Sequence, residues 1–169
     1  MLQVVGYKNA GKTTLAGEII RSLADRGLRV GALKSDAHGF EPDAPGKDTW
    51  RHRQAGAVVT AIASPARTAW FAELPLSAEE MVAAAQASPY ALDALVLEGF
   101  KAAPYPKIVL LRTDADTDLL ALKRIVAVVV RQPCPAGRAE AKRLGLPVYS
   151  AEGAERAALI ERIADWMAR

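Results

Sequence analysis

Gly6, Gly11, Lys12 and Thr13 stand at the spacing G-x-x-x-x-G-K-[ST], inside the run Val4-Val5-Gly6-Tyr7-Lys8-Asn9-Ala10-Gly11-Lys12-Thr13-Thr14-Leu15. That pattern belongs to phosphate-binding loops. A triphosphate is held by a nest of backbone N–H groups at a helix N-terminus, and glycine at the tight positions lets the backbone come that close. On this reading Gly6, Lys8, Asn9, Ala10, Gly11, Lys12, Thr13 and Thr14 form the nucleotide-binding set. Lys12 reaches the β- and γ-phosphates, and the Thr13 hydroxyl takes one position on Mg²⁺. The flanks have the required order: an apolar run, Leu2 to Val5, precedes the loop, and an amphipathic stretch, Leu15 to Ala24, follows it.

The elements that must position this loop alternate along the chain. After the first helix, which ends near Arg26-Gly27, Leu28 to Leu33 reads as a second strand. Val58 to Ala63 and Thr68 to Glu73, joined by Ser64-Pro65-Ala66-Arg67, read as an antiparallel hairpin. That hairpin is apolar for an edge, with Trp70 and Phe71 adjacent, which invites pairing with a second copy into a homodimer; the alternative is that Trp70 packs on its own sheet. Ser77-Ala78-Glu79-Glu80 starts a helix through Ala87 in capping-box fashion. Ala94 to Leu97, Ile108 to Leu111 and Ile125 to Val130 are short continuous apolar runs, suited to a parallel sheet covered on both faces. Helices near Arg138 to Leu144 and Glu155 to Ala168, with a short strand at Pro147 to Tyr149, complete a doubly wound, mostly parallel α/β fold of the P-loop NTPase type with a hairpin insertion.

In such folds ligands sit at the carboxyl ends of the strands. Leu95-Val96-Leu97-Glu98-Gly99-Phe100-Lys101 ends an apolar run in a carboxylate, so Glu98 is a second magnesium candidate, with Gly99 leaving space for the γ-phosphate. The alternative is a solvated acid where a strand runs out. The segment Lys34 to Ala57 is too long and too charged for a connector. It carries both histidines, His38 and His52, with Asp36, Asp43 and Asp48 and the cations Lys34, Lys47, Arg51 and Arg53. Such a set serves binding of a phosphorylated or metal-bearing partner; it also serves plain solubility.

Composition bounds the rest. With 169 residues, 51% of them hydrophobic, one core is expected, so residues 1–169 are read as one nucleotide-binding domain. A formal charge of +3 without a Lys/Arg block argues against general nucleic-acid binding. Cys134, the single cysteine, excludes an internal disulfide and reads as an inert loop thiol. No stretch reaches membrane-span length, and the strand starting at Leu2 leaves no room for a cleaved signal peptide, so a cytoplasmic protein with no membrane partner is expected.

Three motifs together resemble the MobB family of molybdopterin-guanine dinucleotide biosynthesis adaptors: Gly6 to Leu15; Asp43-Ala44-Pro45-Gly46-Lys47-Asp48-Thr49, leading to Arg51-His52 and Ala55-Gly56-Ala57; and Leu97-Glu98-Gly99-Phe100-Lys101. The resemblance covers about the first hundred residues. It implies a GTP- and Mg²⁺-binding protein, at most a weak GTPase and usually a homodimer. Such a protein assists the MobA-type guanylyltransferase that joins GMP to molybdopterin. It also implies Asp36 beside Thr13 and Glu98 near the metal. The partner or pterin surface would comprise His38, Asp43, Lys47, Asp48, Arg51, His52, Arg53 and Lys101. One departure matters: Ile125 to Val130 runs into Arg131-Gln132-Pro133-Cys134-Pro135, with no N/T-K-x-D aspartate to read guanine, so the residues themselves leave the base open. Two rivals share parts of the pattern: a small-molecule kinase or ligase resembling dethiobiotin synthetase, and a GTPase metallochaperone for nickel enzymes.

Overall fold

The computed structural model describes residues 1–36, 39–41, 43–87, 89–131 and 133–169. They gather into two compact units, 1–35 with 78–169, and 36–77.

In the first unit six strands form one parallel sheet: β1 (Leu2–Gly6), β2 (Val30–Lys34), β5 (Ala94–Glu98), β6 (Lys107–Leu111), β7 (Ile125–Val130) and β8 (Val148–Ser150), in the order β2-β5-β1-β6-β7-β8. The apolar runs are continuous because both faces are covered. Leu2, Val4, Val96, Ile108, Leu110 and Val129 point to one face, under α1 (Lys12–Asp25) and α5 (Gly153–Met167). Their neighbours Val5, Val109, Leu111 and Val128 point to the other, under the 3₁₀ segment Asp114–Ala121 and α4 (Pro135–Arg143). Leu95 and Leu97 meet α3 (Ala78–Ala87) on that same face. Each of these side chains is at most 3% exposed, and burial on that scale stabilises by about 1.5–3 kcal/mol per side chain.

Two polar residues are buried within this sheet. The crossover from β5 to β6 is a short segment of turns and bends without a helix, and Gln3 stitches it. The Gln3 amide donates to the Gly99 and Phe100 carbonyls at 3.2 and 2.6 Å, and its oxygen accepts from the Tyr105 N–H at 3.3 Å. Lys107, 2% exposed, opens β6 and donates to the Ala103 and Lys123 carbonyls, each at 3.0 Å. Burial, then the nearby Arg124, lowers its pKa.

The second unit holds α2 (Asp48–Gln54), β3 (Val59–Ala63) and β4 (Thr68–Ala72), the strands pairing antiparallel with Thr60 opposite Phe71 and Ala61 opposite Trp70. Arg53 lies 5.9 Å from the Phe71 ring centroid and pairs with Glu41 and Glu73 at 2.8 and 2.6 Å. Trp70 is on the outward face, 67% exposed, with Val59 and Ile62 also exposed. It does not pack on its own two-stranded sheet.

Local chemistry moved several boundaries. The second strand begins at Val30 rather than Leu28, because the Leu28 N–H donates back to the Leu23 carbonyl at 3.2 Å and completes the helix end. α4 begins at Pro135, where a proline at the first helical position loses no hydrogen bond. α2 occupies part of what reads as loop: Asp48 stands in its first turn and Arg51, His52 and Arg53 in its last, as the helix dipole favours, but the helix has no apolar stripe. Cys134 is buried at the start of α4 rather than free in a loop, and burial followed by its hydrogen bond to Asp114 raises its pKa.

Candidate functional site

The site is built at the carboxyl end of β1. Gly6 closes that strand where a side chain would be crowded: a Cβ would lie 3.0 Å from the Leu110 carbonyl oxygen and 3.1 Å from the Ala10 Cβ. The chain then turns through two left-handed residues, Asn9 at φ 63° and Gly11 at φ 89°, and enters α1 at Lys12. The Lys12 ammonium donates to the Tyr7 carbonyl at 2.8 Å. Partial burial depresses its pKa, Glu98 opposes that shift, and Lys101, Lys34 and Arg112 reinforce it. A loop lined by this many cations suits a polyanion.

The Thr13 hydroxyl donates to Glu98 Oε1 at 2.7 Å, and Lys34 stands 3.9 Å from the same oxygen. Two sequence-predicted metal residues therefore meet. Among the described residues no group of three or more His, Cys, Asp and Glu comes together as a metal cluster. A hydroxyl beside a carboxylate oxygen is a donor set that fits Mg²⁺, which binds through one or two protein oxygens and takes the rest of its shell from phosphate and water. At Gly99 a Cβ would lie 3.1 Å from the Ser35 Cβ, and the φ is +90°. Close packing on Ser35 and a left-handed turn account for this glycine.

Arg112, Asp116, Tyr7 and Asp118 were not singled out by sequence reasoning, and they brace the loop. The Arg112 guanidinium grips buried Asp116 through two bonds at 2.8 and 2.7 Å and donates a third to the Lys8 carbonyl at 2.9 Å. Lys101 Nζ lies 3.8 Å from the Tyr7 ring centroid and Arg112 Cζ 5.3 Å from it. The Tyr7 phenol donates to Asp118, which pushes its pKa up. Arg112 directly follows β6 at the same end of the sheet where Glu98 closes β5.

Of the remaining predicted residues, Asp36 opens the second unit. Its Asp43 carboxylate accepts the Ala44 N–H at 2.9 Å, Lys47 stands at the N-cap of α2, and Asp48, Arg51, His52 and Arg53 ride on that helix. Asp48, Arg51 and His52 share one short element. His38, and Gln132 beside the missing guanine-reading aspartate, lie outside the described residues.

The parallel sheet and this loop define the chain as an α/β protein of the phosphate-loop NTPase type. The model of molybdopterin guanine dinucleotide synthesis protein B matches residues 1–131, and the chain belongs to that family, MobB. A probable molybdopterin-guanine dinucleotide biosynthesis adapter protein of Bacillus subtilis is 35% identical over 160 residues, 90% of this chain and 86% of that protein. The adapter protein of Escherichia coli is 35% identical over 139 residues, 79% of each chain. The crystal structure of Bacillus subtilis MobB superposes with a TM-score of 0.77 at 33% identity, covering 97% of this chain and 95% of that one. A MobB homolog from Bacillus stearothermophilus gives 0.75 at 30% identity, covering 98% and 96%.

If Glu98 lies in the metal's shell, Glu98→Gln raises the Mg²⁺ concentration at half-saturation about tenfold, the equivalent of roughly 1.4 kcal/mol, and changes metal-free nucleotide affinity little. Titrating Mg²⁺ at fixed nucleotide measures it. An unmoved midpoint returns Glu98 to an ordinary polar strand end.

Proposed function

We propose that this chain is a GTP-binding adaptor, at most a weak GTPase, of molybdopterin-guanine dinucleotide biosynthesis. In this role it assists a MobA-type guanylyltransferase as that enzyme attaches GMP to molybdopterin, in the cytoplasm. The observation that carries the reading is the Thr13–Glu98 pair, 2.7 Å apart beside the loop of a MobB-family chain. Loop N–H groups and Lys12 bind the phosphates, and Thr13 and Glu98 hold Mg²⁺, with Asp36 a further acidic candidate. When bound, that ion neutralises charge on the β- and γ-oxygens. Lys101 and Arg112 hold the Tyr7 end of the loop in shape. Purification followed by identification of the copurifying nucleotide and pterin tests the reading. Recovery of ATP with turnover of about 1–100 per second on a small acceptor favours the kinase instead.

The adaptor role is assigned to α2 and the residues before it, with Lys101. Asp48→Asn, Arg51→Ala and His52→Ala leave GTP binding within about twofold and lose most stimulation of the guanylyltransferase, because surface charges fix encounter and register between partners. Reconstituted conversion of molybdenum cofactor plus GTP, with and without each variant, measures the separation. Full stimulation by all three removes this segment from the mechanism.

The chain also acts as a two-fold homodimer in this reading, supported by the exposed Val59 and Trp70 on one face of the hairpin. Sedimentation at micromolar concentration is expected to show twice the mass of one chain, and Trp70→Glu to halve it.

A further inference from the structure

The phosphate loop opens into a cleft of about 760 Å³ that continues past Thr14 to the ends of β7 and β8. Its far wall is Arg131, Ala151, Glu152, Gly153 and Arg156, with Glu18 from α1. A phosphate chain fills only the loop end, and the volume lies within the range of sites that take a whole small ligand. A nucleoside whose phosphates lay in the loop would face the far wall.

Most polar groups of that wall are already committed. Arg156 donates to Glu18 at 2.7 Å and to the Ala151 carbonyl at 2.8 Å, which ties α1 to the turn before α5. The Ala151 N–H donates to the Val130 carbonyl at 3.0 Å. The Glu152 carboxylate and the Arg131 guanidinium make no hydrogen bond or ion pair with the described residues. Each follows the end of a neighbouring strand, β8 and β7, whose residues Val130 and Ser150 are paired.

Guanine presents two donors side by side, N1–H and the 2-amino group, which a carboxylate accepts together. Adenine presents an acceptor, N1, beside its 6-amino group, so the same carboxylate meets a lone pair. We propose that Glu152 is the guanine-reading carboxylate of this chain, supplied from the end of β8 in place of the aspartate absent after β7, with Arg131 available to the O6 and N7 acceptors. Arg156 is a positioning residue that holds the wall. The family match stops at residue 131, before the turn that carries Glu152. This assignment rests on the nucleotide site proposed above.

The test is competition binding of the Mg²⁺ complexes of GTP, ITP, XTP and ATP to the full chain and to Glu152→Gln. The wild type is expected to favour GTP over ITP, which lacks the 2-amino donor, and over ATP. The substitution replaces one acceptor by an amide donor, so GTP weakens about 10- to 100-fold while XTP, with an oxygen at position 2, tightens by a similar factor. A misfolded variant gains no ligand, so the XTP gain separates recognition from damage. Glu152→Ala loses GTP without gaining XTP. Unchanged GTP affinity in Glu152→Gln overturns the proposal, as does equal wild-type affinity for GTP and ATP. A wild type that binds none of the four overturns the underlying nucleotide site as well, and Lys12→Ala binding all four as the wild type does would point to the same failure.

Discussion

Lys12→Ala is expected to lose about a hundredfold in affinity for Mg²⁺-GTP, roughly 3 kcal/mol, while unfolding at the wild-type temperature. The side chain ends in one hydrogen bond, to the Tyr7 carbonyl, which also accepts the Ala10 N–H at 3.2 Å, so its removal leaves that oxygen paired. Its charge is another matter. Burial first, then Lys101, Lys34 and Arg112, depress its pKa against the pull of Glu98, and an anionic phosphate would relieve the repulsion among the cations. Calorimetry measures the affinity, and a melting curve measures the fold. Undiminished binding in this variant removes the phosphate-loop assignment.

The largest expected loss of stability is at Arg112. Asp116 is 1% exposed, and Arg112→Ala leaves that carboxylate with only its backbone donors, at a cost of about 1–3 kcal/mol, or roughly 5 °C in melting temperature for a chain of this size. Arg112→Met with Asp116→Leu is expected to recover most of it, because no charge is then stranded. The pH dependence has a definite sign. The Arg112 guanidinium holds the folded Asp116 carboxyl below its ordinary value. Its contribution is therefore complete above the unfolded value near 4 and disappears as pH falls through the depressed folded value. Asp116→Asn flattens that part of the acid limb. Wild-type stability in Arg112→Ala at pH 7 would show that the pair is not holding the loop.

What the sequence made legible followed from local patterns. Leu2 to Val5, the glycine spacing and the helix after it are contiguous, so the loop was readable without tertiary information. Glu98 was readable because it ends an apolar run, and Ile125 to Val130 coincides with β7 to the residue. The bracing was not legible, because Arg112 reaches the Lys8 carbonyl across 104 positions and nothing local marks the pair. α2 escaped for the opposite reason: its charges suit a helix dipole but carry no apolar period. The missing aspartate after β7 was legible, but its replacement needed the sheet order, which sets the end of β8 beside the end of β7.

Gln3 has one more consequence. It is fully buried on the strand that feeds the phosphate loop, and its amide grips the backbone directly after Glu98. The strand end that carries Glu98 and the strand that feeds the phosphate loop are therefore fastened to each other by a buried side chain. A nucleotide bound there would meet two halves that already share a frame, so little ordering entropy would be spent on capture. Association is then expected to follow a single exponential linear in nucleotide concentration, without a plateau from slow rearrangement.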